Sequence, residues 1–300
     1  MTGDKPRIGF IGLGLMGHAF TRRLVECGYT VTGYDLDGDK VARAAEHGVA
    51  GAESSRAVTE ASDIVLTCVT STDCLRDVVF GEDGVAGGAA AGADKSKILI
   101  DHSTTIVDDT KDMAERLRSE TGMGWVDAPV SGGPPAAGSG TLAIMAGGAN
   151  DDIDRIGPLM NDVSSSFTHF GPVGAGQVAK MVNQILVLNN YAVLAEALAL
   201  AEAGGIDAAK IPQALAAGHA GSNMLQSMFP RMIERDFEPA GYARQILKDL
   251  DMLHDLAKQM TVPTPMSSQT ASLFRILNSK GHGELDGIAV LKLFDGEDSV

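Results

Sequence analysis

The chain has 300 residues, enough for about two domains, and 44% of them are hydrophobic, so a large core can form. Its net charge of −15 repels a phosphate backbone, which argues against nucleic acid as the main partner. The three cysteines show neither disulfide nor metal-ligand spacing, the seven histidines are scattered, and the N-terminus is too polar for a signal peptide. We therefore expect a cytoplasmic protein that uses no metal.

Short β-branched runs alternate with helical patterns over roughly the first 171 residues. Strands are predicted at Arg7–Leu13, Thr30–Asp35, Ile64–Val69, Ile98–Asp101, Trp125–Ala128, Leu142–Ala146 and Thr168–Phe170. Helices are predicted at Met16–Cys27, Asp39–His47 and Ile106–Ser119, and the run Gly84–Ala93, rich in small residues, is predicted to be a loop. This alternation indicates an α/β fold with a parallel, doubly wound sheet.

Strand signals stop at Gly174, and helical periods follow to the end of the chain. We therefore predict two domains, 1–172 and 173–300, the second all-helical and linked to the first by a long helix over about 175–203. At ~1.5 Å per residue such a helix reaches roughly 40 Å, and it predicts a cleft at the domain junction. The apolar stretch Ile185–Ala203 contains asparagines and glutamates, which favours a helix buried on all sides, or at a subunit interface, over a membrane span.

A glycine-rich loop follows the first predicted strand and opens a helix. It consists of Gly12, Leu13, Gly14, Leu15, Met16 and Gly17. In this G-x-G-x-x-G pattern the first glycine permits a tight turn, the second lets the backbone approach a pyrophosphate, and the third allows close helix packing. A lone pattern of this kind is weak, but its place between a strand and a helix predicts a Rossmann-type dinucleotide site.

Asp35 ends the second predicted strand, 18 residues after Gly17, as expected for a ligand of the adenosine ribose. A carboxylate accepts hydrogen bonds from both ribose hydroxyls and repels a 2′-phosphate. NAD is therefore favoured over NADP, although Arg43 is near enough in sequence to offer a phosphate a cation.

Two later motifs carry residues suited to chemistry on a small acid. After a strand, Asp127-Ala-Pro-Val precedes Ser131, Gly132 and Gly133, a hydroxyl beside two uncovered backbone N–H groups that can bind a carboxylate. An ordinary turn that binds no ligand explains this segment equally well.

The second motif, Gly171–Gln184, places Lys180 about one turn inside the long helix, with Asn183 and Gln184 on the same face. The pKa of a free lysine is about 10.4, and a helix N-terminus, desolvation and a cationic nicotinamide would all lower it. Such a lysine can take a hydroxyl proton while hydride leaves the same carbon. The alternative is a solvated lysine beside a neutral amide.

With these motifs in this order, the chain resembles the β-hydroxyacid dehydrogenase family, which includes 3-hydroxyisobutyrate dehydrogenases and tartronate semialdehyde reductases. The likeness covers nearly the whole length and extends to Gly140–Gly148, Lys248-Asp-Leu250 and Gly281–Asp286. It implies an NAD-dependent oxidoreductase that interconverts a small 3-hydroxy acid and its semialdehyde. The apolar long helix suggests a homodimer or homotetramer, although packing within one chain explains it equally well. The charge and the composition of this helix predict neither a nucleic-acid nor a membrane partner.

The resemblance also implies roles for individual residues. Lys180 would be the catalytic acid/base, Ser131, Gly132 and Gly133 would bind substrate, and either Asn183 or Gln184 would orient it. Lys248 would approach both substrate and nicotinamide. The nicotinamide ribose and its surroundings would contact Val69, Thr70, Ser103 and Thr104.

Some positions depart from the family pattern. Proline is usual in the segment that reads Cys68-Val69-Thr70, Pro134-Pro135-Ala136 replaces a glycine-containing run, and Tyr242, with Arg244 nearby, replaces phenylalanine. Two other functions stay open: a related reductase of another small carbonyl or an imine, and a non-catalytic dinucleotide-binding sensor. Imine reductases usually lack a lysine at this position, and a sensor would not need Ser131 and Lys180.

Overall fold

A computed structural model describes residues 5–90 and 97–295. Contacts within the chain divide it into two units, Met1–Lys180 and Met181–Val300. We describe each unit by itself.

The first unit alternates strands and helices. Its strands are β1 (Ile8–Ile11), β2 (Val31–Tyr34), β3 (Ala50–Gly51), β4 (Ile64–Thr67), β5 (Ile98–Asp101), β6 (Gly124–Asp127), β7 (Val130–Ser131), β8 (Leu142–Gly148) and β9 (Ser164–Gly171). Its helices are α1 (Leu15–Glu26), α2 (Gly38–Ala45), α3 (Ser55–Ala61), α4 (Thr72–Phe80), α5 (Val85–Ala90), α6 (Val107–Thr121), α7 (Gly133–Ser139) and α8 (Asn150–Val163).

The strands form one sheet, in which β3-β2-β1-β4-β5-β6 are all parallel. The predicted α/β class is confirmed, with one difference beyond β6: β8 runs antiparallel to β6 and β7, and β9 runs parallel to β8. A parallel pair needs a crossover connection, usually a helix of several turns on a sheet face. Between β6 and β8 the chain forms only the two-residue β7 and the short α7, so it returns in the opposite direction.

The central strands are buried on both faces, which explains their continuous apolar runs. In β5, Ile98 and Ile100 point into one core with Phe10 and Phe20, whereas Leu99 points into the other with Trp125. The carboxyl ends of these parallel strands meet at one edge of the sheet, where the loops that follow β1, β4, β5 and β6 carry the predicted site residues.

Helix α5 occupies a run that was predicted to be a loop. Alanine is the strongest helix former, and Gly88 lies so close to α3 that an added Cβ would be 2.6 Å from the carbonyl oxygen of Arg56. The small residues are therefore explained by close helix packing, and the loop prediction was wrong for Val85–Ala90; residues 91–93 lie outside the described residues.

Across its described residues the second unit is helical, as predicted. Its elements are the greater part of α9 (Ala175–Ala203), α10 (Ile211–Leu215), α11 (Asn223–Ile233), α12 (Ala243–Gln259), α13 (Pro265–Ser279) and two 3-10 helices, Ala208–Lys210 and Gly287–Leu293. Its core contains Leu198, Phe229, Leu250 and Phe274.

Helix α9 has 29 residues and is continuous across the division between the units. By length and composition it is apolar enough to cross a membrane, with a mean hydropathy of 1.4 and 39% of its most apolar window buried. A single chain therefore does not bury this helix on all sides, so that part of the expectation was wrong, whereas a place at a subunit interface stays a prediction. Its exposed large side chains are Val182, Leu186, Val193 and Leu200. Their spacing of four, seven and seven residues places them on one face, which we call the apolar stripe.

Candidate active site in the Rossmann-type unit

The glycine loop between β1 and α1 has the geometry that its sequence predicted. Gly12 has a φ of +95°, and a Cβ there would collide with the carbonyl oxygen of Cys68. A Cβ on Gly17 would collide with the carbonyl oxygen of Gly12. Both glycines are therefore required by the turn and by the packing of α1 on the sheet.

Gly14 differs, because a Cβ built there meets nothing within 4 Å. It is the N-cap of α1, and no side chain caps its first turn, whereas Asp37, Ser54 and Ser71 cap α2, α3 and α4. Open space in front of unsatisfied helix N–H groups is what a pyrophosphate requires. The loop therefore fits a dinucleotide on the evidence of its own geometry.

Asp35 is held against this loop. Its Oδ2 accepts a hydrogen bond from the backbone N–H of Leu13 at 2.8 Å, and its Oδ1 accepts one from the N–H of Asp37 at 3.0 Å. The Nζ of Lys40 lies 3.3 Å from the same Oδ1. The sequence pointed to Arg43 as the nearby cation, whereas the structure places Lys40 beside Asp35.

The predicted cofactor residues after β4 and β5 are linked to each other. The N–H of Val69 donates to the Oγ of Ser103 at 2.9 Å, and the N–H of Ser103 donates to Oδ1 of Asp101 at 3.0 Å. Thr70 is exposed and Thr104 is half-buried on the same two loops. Burial raises the pKa of Asp101 to about 6, against the effect of its hydrogen-bond donors.

Asp127, at the end of β6, anchors the start of α9. Its Oδ1 accepts from the N–H of Gly174 at 2.7 Å and its Oδ2 from the N–H of Gln177 at 2.9 Å. Burial raises the pKa of this carboxyl to about 7, while the two N–H donors oppose the shift. A Cβ on Gly176 would lie 2.5 Å from the carbonyl oxygen of Asp127, so the helix begins in direct contact with the sheet edge.

Lys180 lies about one turn of α9 after Gln177, whose N–H donates to Asp127. It is buried, with 8% of its surface exposed. Its Nζ donates a hydrogen bond to the carbonyl oxygen of Val130 at 2.7 Å. Val130 immediately precedes Ser131, so the structure brings Lys180 to the segment that the sequence proposed as a carboxylate site.

That segment turns sharply after β7. Gly132 and Gly133 have φ values of +124° and +67°, a left-handed conformation that favours glycine, and α7 begins at Gly133. Gly132 is exposed, and Ser131 and Gly133 are half-buried. The backbone N–H groups are therefore not covered by a Cβ, as the glycines predicted.

In the second unit, the other predicted substrate residues form a chain of contacts. Asn183 Nδ2 donates to Gln184 Oε1 at 2.9 Å, and Gln184 Nε2 donates to Asp249 Oδ2 at 2.5 Å. The Nζ of Lys248 lies 3.0 Å from Asp249 Oδ1. Asp249 thus joins both predicted groups, and Gln184 is buried with both ends of its amide engaged.

Sequence reasoning missed four residues that hold these side chains in place: Lys40, Thr105, Gln177 and Asp249. Gln177 and Asp249 carried a usable signal, because one lies three residues before Lys180 on the same helix face and the other adjoins Lys248. Tyr242 and Arg244 contact each other, with the guanidinium 4.7 Å from the ring centroid, and Arg244 also pairs with Glu284. Within 5–90 and 97–295, no group of three or more His, Cys, Asp or Glu residues is arranged to hold a metal ion.

Comparison with known protein families accounts for both units. Residues 7–171 match the NAD-binding domain of 6-phosphogluconate dehydrogenase, and residues 174–294 match the NAD-binding domain of NADP-dependent 3-hydroxyisobutyrate dehydrogenase. The two matches together span nearly all of the chain, and the first alone covers more than half.

Individual relatives agree with the domain matches. The chain is 34% identical over 289 residues to 2-hydroxy-3-oxopropionate reductase of Escherichia coli K12, covering 96% of this chain and 97% of that protein. It is 31% identical over 296 residues to an NAD-dependent L-serine dehydrogenase of Pseudomonas aeruginosa, covering 96% and 98%. A crystal structure of 3-hydroxyisobutyrate dehydrogenase from Salmonella typhimurium superimposes with a TM-score of 0.87 at 28% identity, covering 96% of this chain and all of that one.

The fold and the matches define an NAD(P)-binding oxidoreductase that acts on CH–OH groups. The chain belongs to the β-hydroxyacid dehydrogenase family. The predicted reaction class, conversion between a small 3-hydroxy acid and its semialdehyde, is confirmed at this level.

A methyl group added at Gly17 and one added at Gly14 should affect different properties, the first stability and the second cofactor binding. Gly17→Ala should lower the free energy of unfolding by about 1–3 kcal/mol, because the backbone must shift to admit a Cβ. Gly14→Ala should change it by less than about 0.5 kcal/mol and yet weaken NADH binding several-fold, since the methyl group occupies the open space. Chemical denaturation and NADH fluorescence titration measure the two quantities. If Gly14→Ala bound NADH as the wild type does, the pyrophosphate could not lie there.

Proposed function

We propose that this protein is an NAD-preferring dehydrogenase of a small 3-hydroxy acid, with Lys180 as the general acid/base. The observation that carries the proposal is the buried Nζ of Lys180, 2.7 Å from the carbonyl oxygen of Val130 and next to Ser131. The relatives' substrates, 2-hydroxy-3-oxopropionate, 3-hydroxyisobutyrate and L-serine, all pair a carboxylate with a nearby hydroxyl or carbonyl group.

When it is bound, a nicotinamide ring supplies the carbon that accepts or donates hydride. During oxidation, Lys180 as a free amine takes the hydroxyl proton; during reduction, its ammonium returns a proton to the carbonyl oxygen. The carbonyl oxygen of Val130 accepts an N–H from either form. The nitrogen can therefore stay in place while its protonation state changes.

Ser131, Gly132 and Gly133 would bind the carboxylate through a hydroxyl and uncovered N–H groups. Asn183 and Gln184, three and four residues beyond Lys180, would orient the substrate, and Lys248 would bind substrate and cofactor. Both ends of the Gln184 amide already have partners, so Gln184 would also hold Asn183 in place.

NAD preference rests on Asp35. This carboxylate faces the glycine loop through the N–H of Leu13, and a 2′-phosphate there would meet its negative charge. Lys40 lessens that repulsion without removing it, since it also pairs with Asp37 at 3.7 Å. Val69, Thr70, Ser103 and Thr104 would contact the nicotinamide end of the cofactor.

We further propose a homo-oligomer, a dimer or tetramer, in which a second copy covers the apolar stripe of α9. Val182, Leu186, Val193 and Leu200 are 50–75% exposed, an unusual density of large apolar side chains on one helix face. The three cysteines are free thiols, which supports a reducing compartment and hence a cytoplasmic location.

Replacing Lys180 tests the reaction mechanism. Lys180→Ala should lower kcat by roughly 10²–10⁴, the usual contribution of a general acid/base, while the dissociation constant for NADH changes little. The assay follows NADH absorbance with a panel of 3-hydroxyisobutyrate, 3-hydroxypropionate, serine, tartronate semialdehyde and succinic semialdehyde. Lys210→Ala is the matched control, because Lys210 is an exposed lysine paired with Asp207. Near-normal turnover by Lys180→Ala would reject the assigned role.

Asp35→Asn tests cofactor choice. The ratio of kcat/KM with NAD to that with NADP should fall at least about tenfold, because a neutral amide no longer repels a 2′-phosphate. Asp37→Asn removes a neighbouring charge that is more exposed and serves as the control. An unchanged ratio in Asp35→Asn would show that another feature sets the preference.

The double variant Leu186→Glu/Leu200→Glu tests the oligomer. Light scattering should give a multiple of 31.2 kDa for the wild type and a lower mass for the variant, because buried carboxylates oppose association. Leu36→Glu, a change at a 92% exposed leucine outside α9, should leave the mass unaltered. A monomeric wild type contradicts the proposal.

A further inference from the structure

Gln177 is a fully buried glutamine in the first turn of α9, with 0% of its surface exposed. Its Nε2 donates to the carbonyl oxygen of Ser103 at 2.9 Å, and its Oε1 accepts from the N–H of Thr105 at 3.1 Å. Both ends of one amide are therefore bound to the backbone of the loop after β5.

This loop is rigidly held on its other side. The hydroxyl of Ser103 accepts from the N–H of Val69, and Asp101 accepts from the N–H of Ser103 at 3.0 Å and lies 3.4 Å from the hydroxyl of Thr105. The loops after β4 and β5, which carry the proposed nicotinamide-side residues, thus form one hydrogen-bonded block.

The backbone of Gln177 is fixed independently, because its N–H donates to Asp127. One residue therefore contacts the end of β6 through its main chain and the loop after β5 through its side chain. Lys180 lies three residues later on the same helix face, so these contacts set the rotation of the helix that presents its Nζ.

We propose that Gln177 is a positioning residue that fixes the distance between the loop Ser103–Thr105 and the amine of Lys180. This inference rests on the proposed dehydrogenase activity, in which hydride leaves a substrate carbon and the proton leaves the oxygen bound to that carbon. Small displacements of a catalytic group lower rates steeply. We call the two hydrogen bonds from the Gln177 amide to Ser103 and Thr105 the Gln177 bracket; because they fix the cofactor loop relative to the proton acceptor, their loss should lower kcat.

The test compares Gln177→Met, which keeps the side-chain length and removes both hydrogen bonds, with Gln213→Met, the same change at an exposed glutamine of α10. Hydrogen exchange at the Thr105 amide reports directly on the hydrogen bond from this N–H to Gln177 Oε1. Fluorescence titration gives the NADH dissociation constant. Initial rates with a substrate deuterated at the reacting carbon give kcat, KM and the primary isotope effect.

In Gln177→Met, exchange at Thr105 should be at least about tenfold faster, with Ile100 in β5 unchanged. NADH should bind roughly threefold or more weakly, kcat should fall about tenfold or more at nearly constant KM, and the isotope effect on kcat should rise as hydride transfer becomes limiting. Gln177→Glu, which keeps the acceptor for Thr105 and places an oxygen against Ser103, should give intermediate values. If Gln177→Met does not fold, Gln177→Glu decides by the same criteria.

Faster exchange at Thr105 with wild-type kcat and isotope effect would overturn the proposal, because Gln177 would then only stabilise the fold. Unchanged exchange at Thr105 would overturn it as well. Failure of the proposed function is recognised separately, as a wild type that binds NADH and turns over no acid of the panel. In that case the NADH dissociation constant tests the proposal, and a value in Gln177→Met equal to that of the wild type rejects the positioning role of Gln177.

Discussion

The carboxylate of Asp127 is the contact on which the arrangement of the Rossmann-type unit depends. It ends a buried strand and accepts two N–H groups at the start of α9, where a helix has unsatisfied donors and a partial positive charge. Without this acceptor the first turn of α9 would leave buried N–H groups unpaired at the sheet edge. Gly176 allows the helix to approach that closely, and Lys180 then lies one turn further on, against Val130.

Much of this could be predicted from local pattern. The glycine loop, Asp35 and the strand Ile98–Asp101 were predictable because turn geometry, strand ends and β-branched runs depend on neighbouring residues. The antiparallel β8 was not, since pairing partners are chosen by the connection and not by strand composition. Helix α5 was missed because its small residues look like a loop until α3 is packed against them. Gln177 and Asp249 lie close to Lys180 and Lys248 in the sequence, but what they do there depends on partners that are distant in sequence, Ser103 and Gln184.

The predicted site residues of the two units are held by different means. In the first, backbone groups supply most partners, so each functional side chain inherits the rigidity of the sheet edge. In the second, Asn183, Gln184, Asp249 and Lys248 contact one another through their side chains. A substitution in this second group passes its effect to its neighbours, because each side chain orients the next.

The contacts of Asp35 have a consequence for the thermodynamics of cofactor binding. Leu13, Asp37 and Lys40 hold this carboxylate, the proposed ribose ligand, in the free protein, so its rotamer is already selected. The loss of conformational entropy at this position accompanies folding and not association. In the proposed function, recognition of the adenosine ribose would therefore approach a lock-and-key process, in which little of the binding free energy is spent on ordering the receptor.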